Sequence, residues 1–136
     1  MIINTPISLG ELLDRISILK IKDKNISDSE KRKLVKNELD LLQETLNKNI
    51  KNEEEILNYI EDLLKVNSKL WKIEDDLREC ERNKNFDEKF IELARSVYFT
   101  NDERAKIKLE INKKFGSLIV EVKSYEKYWV ILFLIN

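Results

Sequence analysis

The chain has 136 residues, 25 basic and 26 acidic side chains, a formal net charge of -1, a single cysteine and no histidine. These values exclude an internal disulfide, histidine-based acid–base chemistry and the common zinc sites. They also give no whole-molecule case for binding nucleic acid or an anionic membrane surface.

The length fits one domain spanning residues 1–136, able to bury roughly two-thirds of its unfolded surface. Two glycines, one proline, 38% charged residues and 8% aromatics point to long helices rather than a sandwich or barrel. The opening MIINTPISLGELL lacks the basic and long apolar regions of a signal peptide. No segment reaches the ~18 apolar residues of a spanning helix. A cytoplasmic, reducing location is the expectation.

Ile2 to Thr5 is a short lead-in ended by Pro6. Ser8-Leu-Gly-Glu11 is a capping-box pattern, with Ile7 and Leu12 placed as a hydrophobic staple. It predicts a first helix from about Leu9 to Lys24. Leu12, Leu13, Ile16 and Leu19 form one apolar face, and Ile18 and Ile21 a second. A helix apolar on two sides belongs at the centre of its bundle.

Ser27-Asp-Ser-Glu30 is a second capping box, opening a helix to about Lys48 whose stripe is Leu34, Val35, Leu39, Leu42 and Leu46. Asn52 followed by three glutamates suits the positive end of a third helix, from about Glu53 to Arg82. Its face is centred on Ile56, Ile60, Leu63, Leu64, Leu70, Trp71 and Leu77. Asn83 to Phe86 reads as a tight connection, and Asp87 as the cap of a fourth helix. Thr100-Asn-Asp-Glu103 is itself a capping pattern, but one helix, bent or straight, through to Lys114 is favoured, with Gly116 as its C′ residue. The tail SLIVEVKSYEKYWVILFLIN is either an extended segment packed on the bundle or a short final helix.

Phe90 to Phe115 organises the rest. At 100° per residue, Phe90, Leu93, Ala94 and Val97 form an apolar stripe that turns polar at Asn101, Arg104 and Lys108, then apolar again at Ile111 and Phe115. The third helix has a matching gap at Asn67, Glu74 and Arg78. An antiparallel hairpin about Asn85 would bring Asn67 level with Asn101 to Arg104, Glu74 near Arg95 and Ser96, and Arg78 near Glu92. The first helix could add Asp14, Arg15, Lys20 and Lys22.

Several readings of this window compete. One is a buried polar network in which Glu74–Arg95 and Glu92–Arg78 pair to fix register. Another is a site for an anionic ligand such as phosphate or carboxylate. Arg104 and Lys108 repel as like charges one turn apart, and such a ligand would relieve that. A third is a merely solvated charged face. A fourth is magnesium held by carboxylates one turn apart, as in all-helical nucleotide pyrophosphatases, with Glu11 and Asp14 at that spacing and Glu74 and Asp75 as partners. No metal ligand set is assigned. Cys80 has no activating partner in sequence, and Tyr98, Tyr125 and Tyr128 fit core edges or ligand contacts. The Trp129-Val-Ile-Leu-Phe-Leu-Ile135 run suits a packed terminus or a dimer contact.

ISLGELLDRISILKIK, LWKIEDDLREC and FIELARSVYFTNDERAKIKLEIN followed by GSLIVEVKSY together resemble DUF6165, an uncharacterised family of small bacterial and phage proteins. The resemblance runs from Ile7 to Tyr128. It implies no reaction, but places the weight of the pattern on Glu11, Asp14, Lys22, Glu74, Arg95, Asn101, Asp102, Arg104, Lys108 and Tyr125. Two departures stand out: Val122 where the family has an acid, and the residues after Tyr128, where members finish.

The expected fold is all-α, an antiparallel bundle of four to five helices with a short extended or irregular C-terminal segment. The expected site is an inter-helix pocket for a phosphorylated sugar or nucleotide, with Arg78, Arg95, Arg104 and Lys108 holding charge and Asn67 and Asn101 orienting the ligand. Glu74 is an ion-pair partner or, in a catalytic site, the general base. The alternatives are a non-catalytic interaction or self-association module and a magnesium-dependent nucleotide pyrophosphohydrolase.

Overall fold

A computed structural model describes residues 1–51 and 53–128. The fold is all-α, with four packed helices: α1 (Leu9–Asn25), α2 (Ser29–Asn49), α3 (Glu53–Arg82) and α4 (Glu88–Lys114). Local chemistry sets their ends. Ser8 and Asp87 cap α1 and α4 by accepting from the backbone N–H of Glu11 and Phe90. At α2 the cap is Asp28, which accepts from the Lys31 N–H, one residue later than the capping box suggested. The expected cap at Asn52 lies outside the described residues.

Two of the helices stop in the same way. At the end of α4, Gly116 takes a φ of 65°, the Ser117 N–H bonds back to the Asn112 carbonyl at 2.9 Å, and the Gly116 N–H to that of Lys113. At the end of α3 a lysine does the same job: Lys84 sits at φ 51°, and the Asn85 N–H reaches the Cys80 carbonyl at 2.9 Å. Residues 117–128 then run back along α4 without helix or strand, so the extended alternative for this stretch holds. Trp129 to Ile135 lie outside the described residues.

Ion pairs give the directions. Arg15–Glu38 and Asp23–Arg32 set α1 against α2, and Glu55–Lys114 and Lys69–Glu103 set α3 against α4, each antiparallel. Contacts of Gly10 with Asn112 and of Asp14 with Arg104 make α1 and α4 antiparallel too. α1 is therefore central, as its two apolar sides suggested, and packs on all three other helices. Leu12, Leu13 and Ile16 join Leu46, Ile56, Ile60, Leu63 and Ile111 in one apolar cluster. Leu34, assigned to the α2 stripe, is instead exposed, and Cys80 is buried.

Gly10 marks the closest approach. A Cβ there would stand 2.6 Å from the Lys108 carbonyl oxygen and 2.9 Å from Asn112 Oδ1. With no side chain in the way, the Gly10 N–H donates to Asn112 Oδ1 at 2.8 Å, while the Leu9 N–H donates to Ser117 Oγ. The free amides of the first turn of α1 are thus taken by Ser8 and by the far end of α4.

Two effects oppose each other in Gly10→Ala. Helix propensity favours alanine by ~1 kcal/mol. Overpacking costs ~1–3 kcal/mol, and the bond to Asn112 is worth about 0.5–1.5 kcal/mol. We therefore expect a net loss of about 1–3 kcal/mol in urea denaturation; a variant as stable as the parent would show that the helices can move apart freely.

Candidate functional site

The polar window of α4 faces α1 as much as α3. Arg104, Lys108 and Asn112 are spaced by one turn, and each meets a group on the first half of α1. Lys108 Nζ lies 2.7 Å from Glu11 Oε2 and 2.7 Å from Glu121 Oε2, which comes from the C-terminal segment. Burial works against its charge, but the two carboxylate hydrogen bonds and the nearby charges of Glu11 and Asp14 win, raising its pKa. The Lys108 ammonium in turn holds Glu121 below the usual carboxylate range.

Asp14 is the buried centre of the arrangement, with 2% of its surface exposed. It accepts from Asn67 Nδ2 at 2.8 Å and lies 3.5 Å from Arg104 Nε. Asn67 Nδ2 also donates to Ser17 Oγ at 2.8 Å, and the Ser17 hydroxyl donates to the Asp14 carbonyl. One carboxylate thus ties α1 to α3 and to α4. A buried charge is tolerable only with this kind of pairing.

Beside this knot lies a cavity of about 510 Å³. Asn67, Glu74 and Arg78 of α3 line it together with Asn101 and Arg104 of α4, over an apolar wall of Ile18, Ile21, Leu70 and Trp71. Five of the residues singled out in the sequence therefore share one wall. Arg95 and Lys108 do not. Arg95 is exposed, its Nε 3.4 Å from the Tyr98 hydroxyl and its guanidinium 5.9 Å from the Phe99 ring centre. Neither expected cross-pair of the network forms: Arg78 bonds Glu74 on its own helix. The reason is reach, since residues one turn apart on a helix are already neighbours.

Lys108 is neutralised by the chain's own carboxylates, whereas Arg104 is met on one edge by Asp14 and is 29% exposed along its side chain. The sequence offers Asp14 as an addition to the window, as a magnesium ligand and as a weighted family position, but not as the shared partner of Asn67 and Arg104. A signal was present: Gly10, Asp14 and Ser17 share one helical face, a small and polar strip beside the apolar face of Leu12, Leu13, Ile16 and Leu19. Thr100 is fully buried in the continuous α4, its hydroxyl unbonded rather than capping.

A second, larger cavity of about 900 Å³ lies between α4 and the C-terminal segment, and Asn101 lines both. The Tyr128 phenol donates to Asp102 Oδ2 at 2.5 Å, and that carboxylate pushes its pKa up to about 12. Tyr128 packs on Tyr98 and Phe99 with ring centres 5.4 and 5.0 Å away. Among the described residues no group of three or more Asp, Glu or Cys side chains is arranged to hold a metal ion. Glu11 and Asp14 face cations of the chain instead.

Asp14→Ala should cost about 1.5–3 kcal/mol, the worth of hydrogen bonds to a charged group. A loss of a few tenths in chemical denaturation would remove Asp14 from the centre of the structure. The Lys108–Glu121 pin has its own pH window. Glu121 titrates below its ordinary value of 4.5 when folded, so its contribution is present above 4.5 and lost as pH falls through the lowered pKa. Lys108 titrates above 10.5 when folded, so its contribution is present below 10.5 and lost as pH rises through the raised pKa. The stability difference between the parent and Glu121→Gln should be flat between these limits, at ~0.5–1 kcal/mol for so exposed a partner. A difference that persists undiminished at pH 2 would contradict the pin.

No helix among the described residues is long and apolar enough to cross a membrane. No curated protein and no solved structure matches the chain. The sequence pattern of the family of unknown function DUF6165 matches residues 3–130, and eight of the ten positions that the resemblance weighted stand at the two cavities or in the pairs beside them. Lys22 and Arg95 line neither cavity. The chain belongs to the DUF6165 family.

Proposed function

We propose that the protein binds a small organic anion, a phosphorylated sugar or a nucleotide, in the cavity between α1, α3 and α4. The observation that carries this reading is Arg104: it is ion-paired at its Nε edge to buried Asp14, 3.5 Å away, and it lines the cavity. A guanidinium held this way keeps donors for a phosphate or carboxylate at little further entropic cost. Arg78 adds a second positive charge on the same wall.

The remaining lining suits the rest of such a molecule. Asn67, Asn101, Glu74 and Asp75 offer donors and acceptors to hydroxyl groups, and Trp71 offers an apolar face. Two arginines opposed by two acids favour a ligand carrying both an anionic group and hydroxyls over a bare anion. Glu74, ion-paired to Arg78, acts in this reading as a positioning partner.

The test is thermal denaturation of the full chain against inorganic phosphate, sugar phosphates and nucleotides. A ligand at a hundred times its Kd stabilises by ~2.7 kcal/mol, or several degrees in Tm. Arg104→Gln should abolish that response, and so should Arg78→Gln, whose exposed side chain contributes little to folding. Lowered Tm in Arg104→Gln with an unchanged ligand response would reduce the window to a structural network.

Self-association is a second reading, favoured by one observation. Leu118, Val122 and Tyr125 on the C-terminal segment are 102%, 85% and 77% exposed. It predicts that light scattering shows a concentration-dependent mass that Val122→Glu reduces. A constant monomer mass would dismiss it.

A further inference from the structure

We infer that the ligand is a nucleotide, its base seated in the larger cavity under the C-terminal segment and its phosphate end at Arg104. This deepens the reading above and rests on it. The two cavities are not independent, because the Asn101 side chain lines both and Arg104 follows it on the same helix. A molecule reaching across Asn101 can touch both at once.

The chemistry differs on the two sides of Asn101. The smaller cavity offers arginines and hydroxyl partners. The larger offers tyrosine faces: Tyr98 from α4, and Tyr125 and Tyr128 from the segment. Tyr98 and Tyr128 already pack on each other, but among the described residues no ring packs on Tyr125. Its face is open to a planar ring, and every base has one. Asn101 stands where its amide can hydrogen-bond a base edge, and Asp102 and Glu126 can accept from ribose hydroxyls. Lys123 and Lys127, which form no ion pair among the described residues, add positive charge at the rim. A sugar phosphate would leave this half of the site unused, which selects the nucleotide.

The segment also supplies a reason for its own anchoring. It is held at Glu121 by Lys108 and at Tyr128 by Asp102, and Tyr125 lies between these two points. That holds a stacking ring at the cavity that Asn101 also lines, without any helix or strand in the segment.

Titration calorimetry on the full chain tests this with pyrophosphate and with the diphosphates of adenosine, guanosine, cytidine and uridine. At least one nucleoside diphosphate should bind about tenfold or more tightly than pyrophosphate, the scale of one stacked base. Tyr125→Ala should erase that gain while leaving pyrophosphate affinity unchanged, and Tyr125→Phe should keep it. Equal affinity for pyrophosphate and all four nucleotides, or a gain that survives Tyr125→Ala, overturns the inference and leaves the anion site standing. Failure of both pyrophosphate and the nucleotides to bind overturns the anion site as well.

Discussion

The carboxylate of Asp14 is the constraint on which the rest of the structure depends. It is one of the least accessible polar groups in the chain and belongs to the central helix. A charge so placed must be paired, and its partners come from two other helices, Asn67 of α3 and Arg104 of α4. Apolar packing between helices tolerates sliding and rotation at modest cost, whereas a buried ion pair with directed hydrogen bonds does not. Asp14 therefore sets the height at which α1, α3 and α4 meet. The nearby close contact at Gly10 sets how near α1 and α4 come.

That interlock has a chemical consequence. Arginine side chains are long and rotamer-rich, and a free one loses much entropy on binding. Arg104 is already oriented by Asp14, and the wall it lines carries Asn67 and Asn101 beside it. Lys108, one turn away, donates to Glu11 and Glu121 and so works differently: it fastens the C-terminal segment to the bundle. Two cations on one stripe thus serve separate ends, one presenting charge to a cavity and one closing the molecule.

Much of the architecture was legible because its causes are local. Capping side chains at Ser8 and Asp87, the positive-φ position at Gly116 and the apolar stripes fix where helices start, stop and face. The central place of α1 followed from its two apolar sides. The meeting of Asn67 with Arg104 followed from hairpin geometry about Asn85. What stayed hidden was the identity of the third party. Periodicity gives the direction of a side chain about its own axis, not the neighbour standing there, so the stripe of α4 could be assigned to α3 when Asp14 and Glu11 of α1 answer it. The expected cross-helix pairs Glu74–Arg95 and Glu92–Arg78 do not form for a related reason: Glu74 and Arg78 are nearer to each other, and Arg95 is nearer to Tyr98, on their own helices. The C-terminal segment was the least legible of all, because its course depends on two distant side chains, Lys108 and Asp102.

The most direct measurement is a crystal of the full chain soaked in tungstate, a heavy tetrahedral stand-in for phosphate, with the anomalous signal locating the metal. The account predicts a tungstate in the cavity within hydrogen-bond reach of the Arg104 guanidinium, with Asp14 still on the Nε edge. Tungstate found only on exposed lysines, or an Arg104 turned wholly onto Asp14 with its donors spent there, would contradict it.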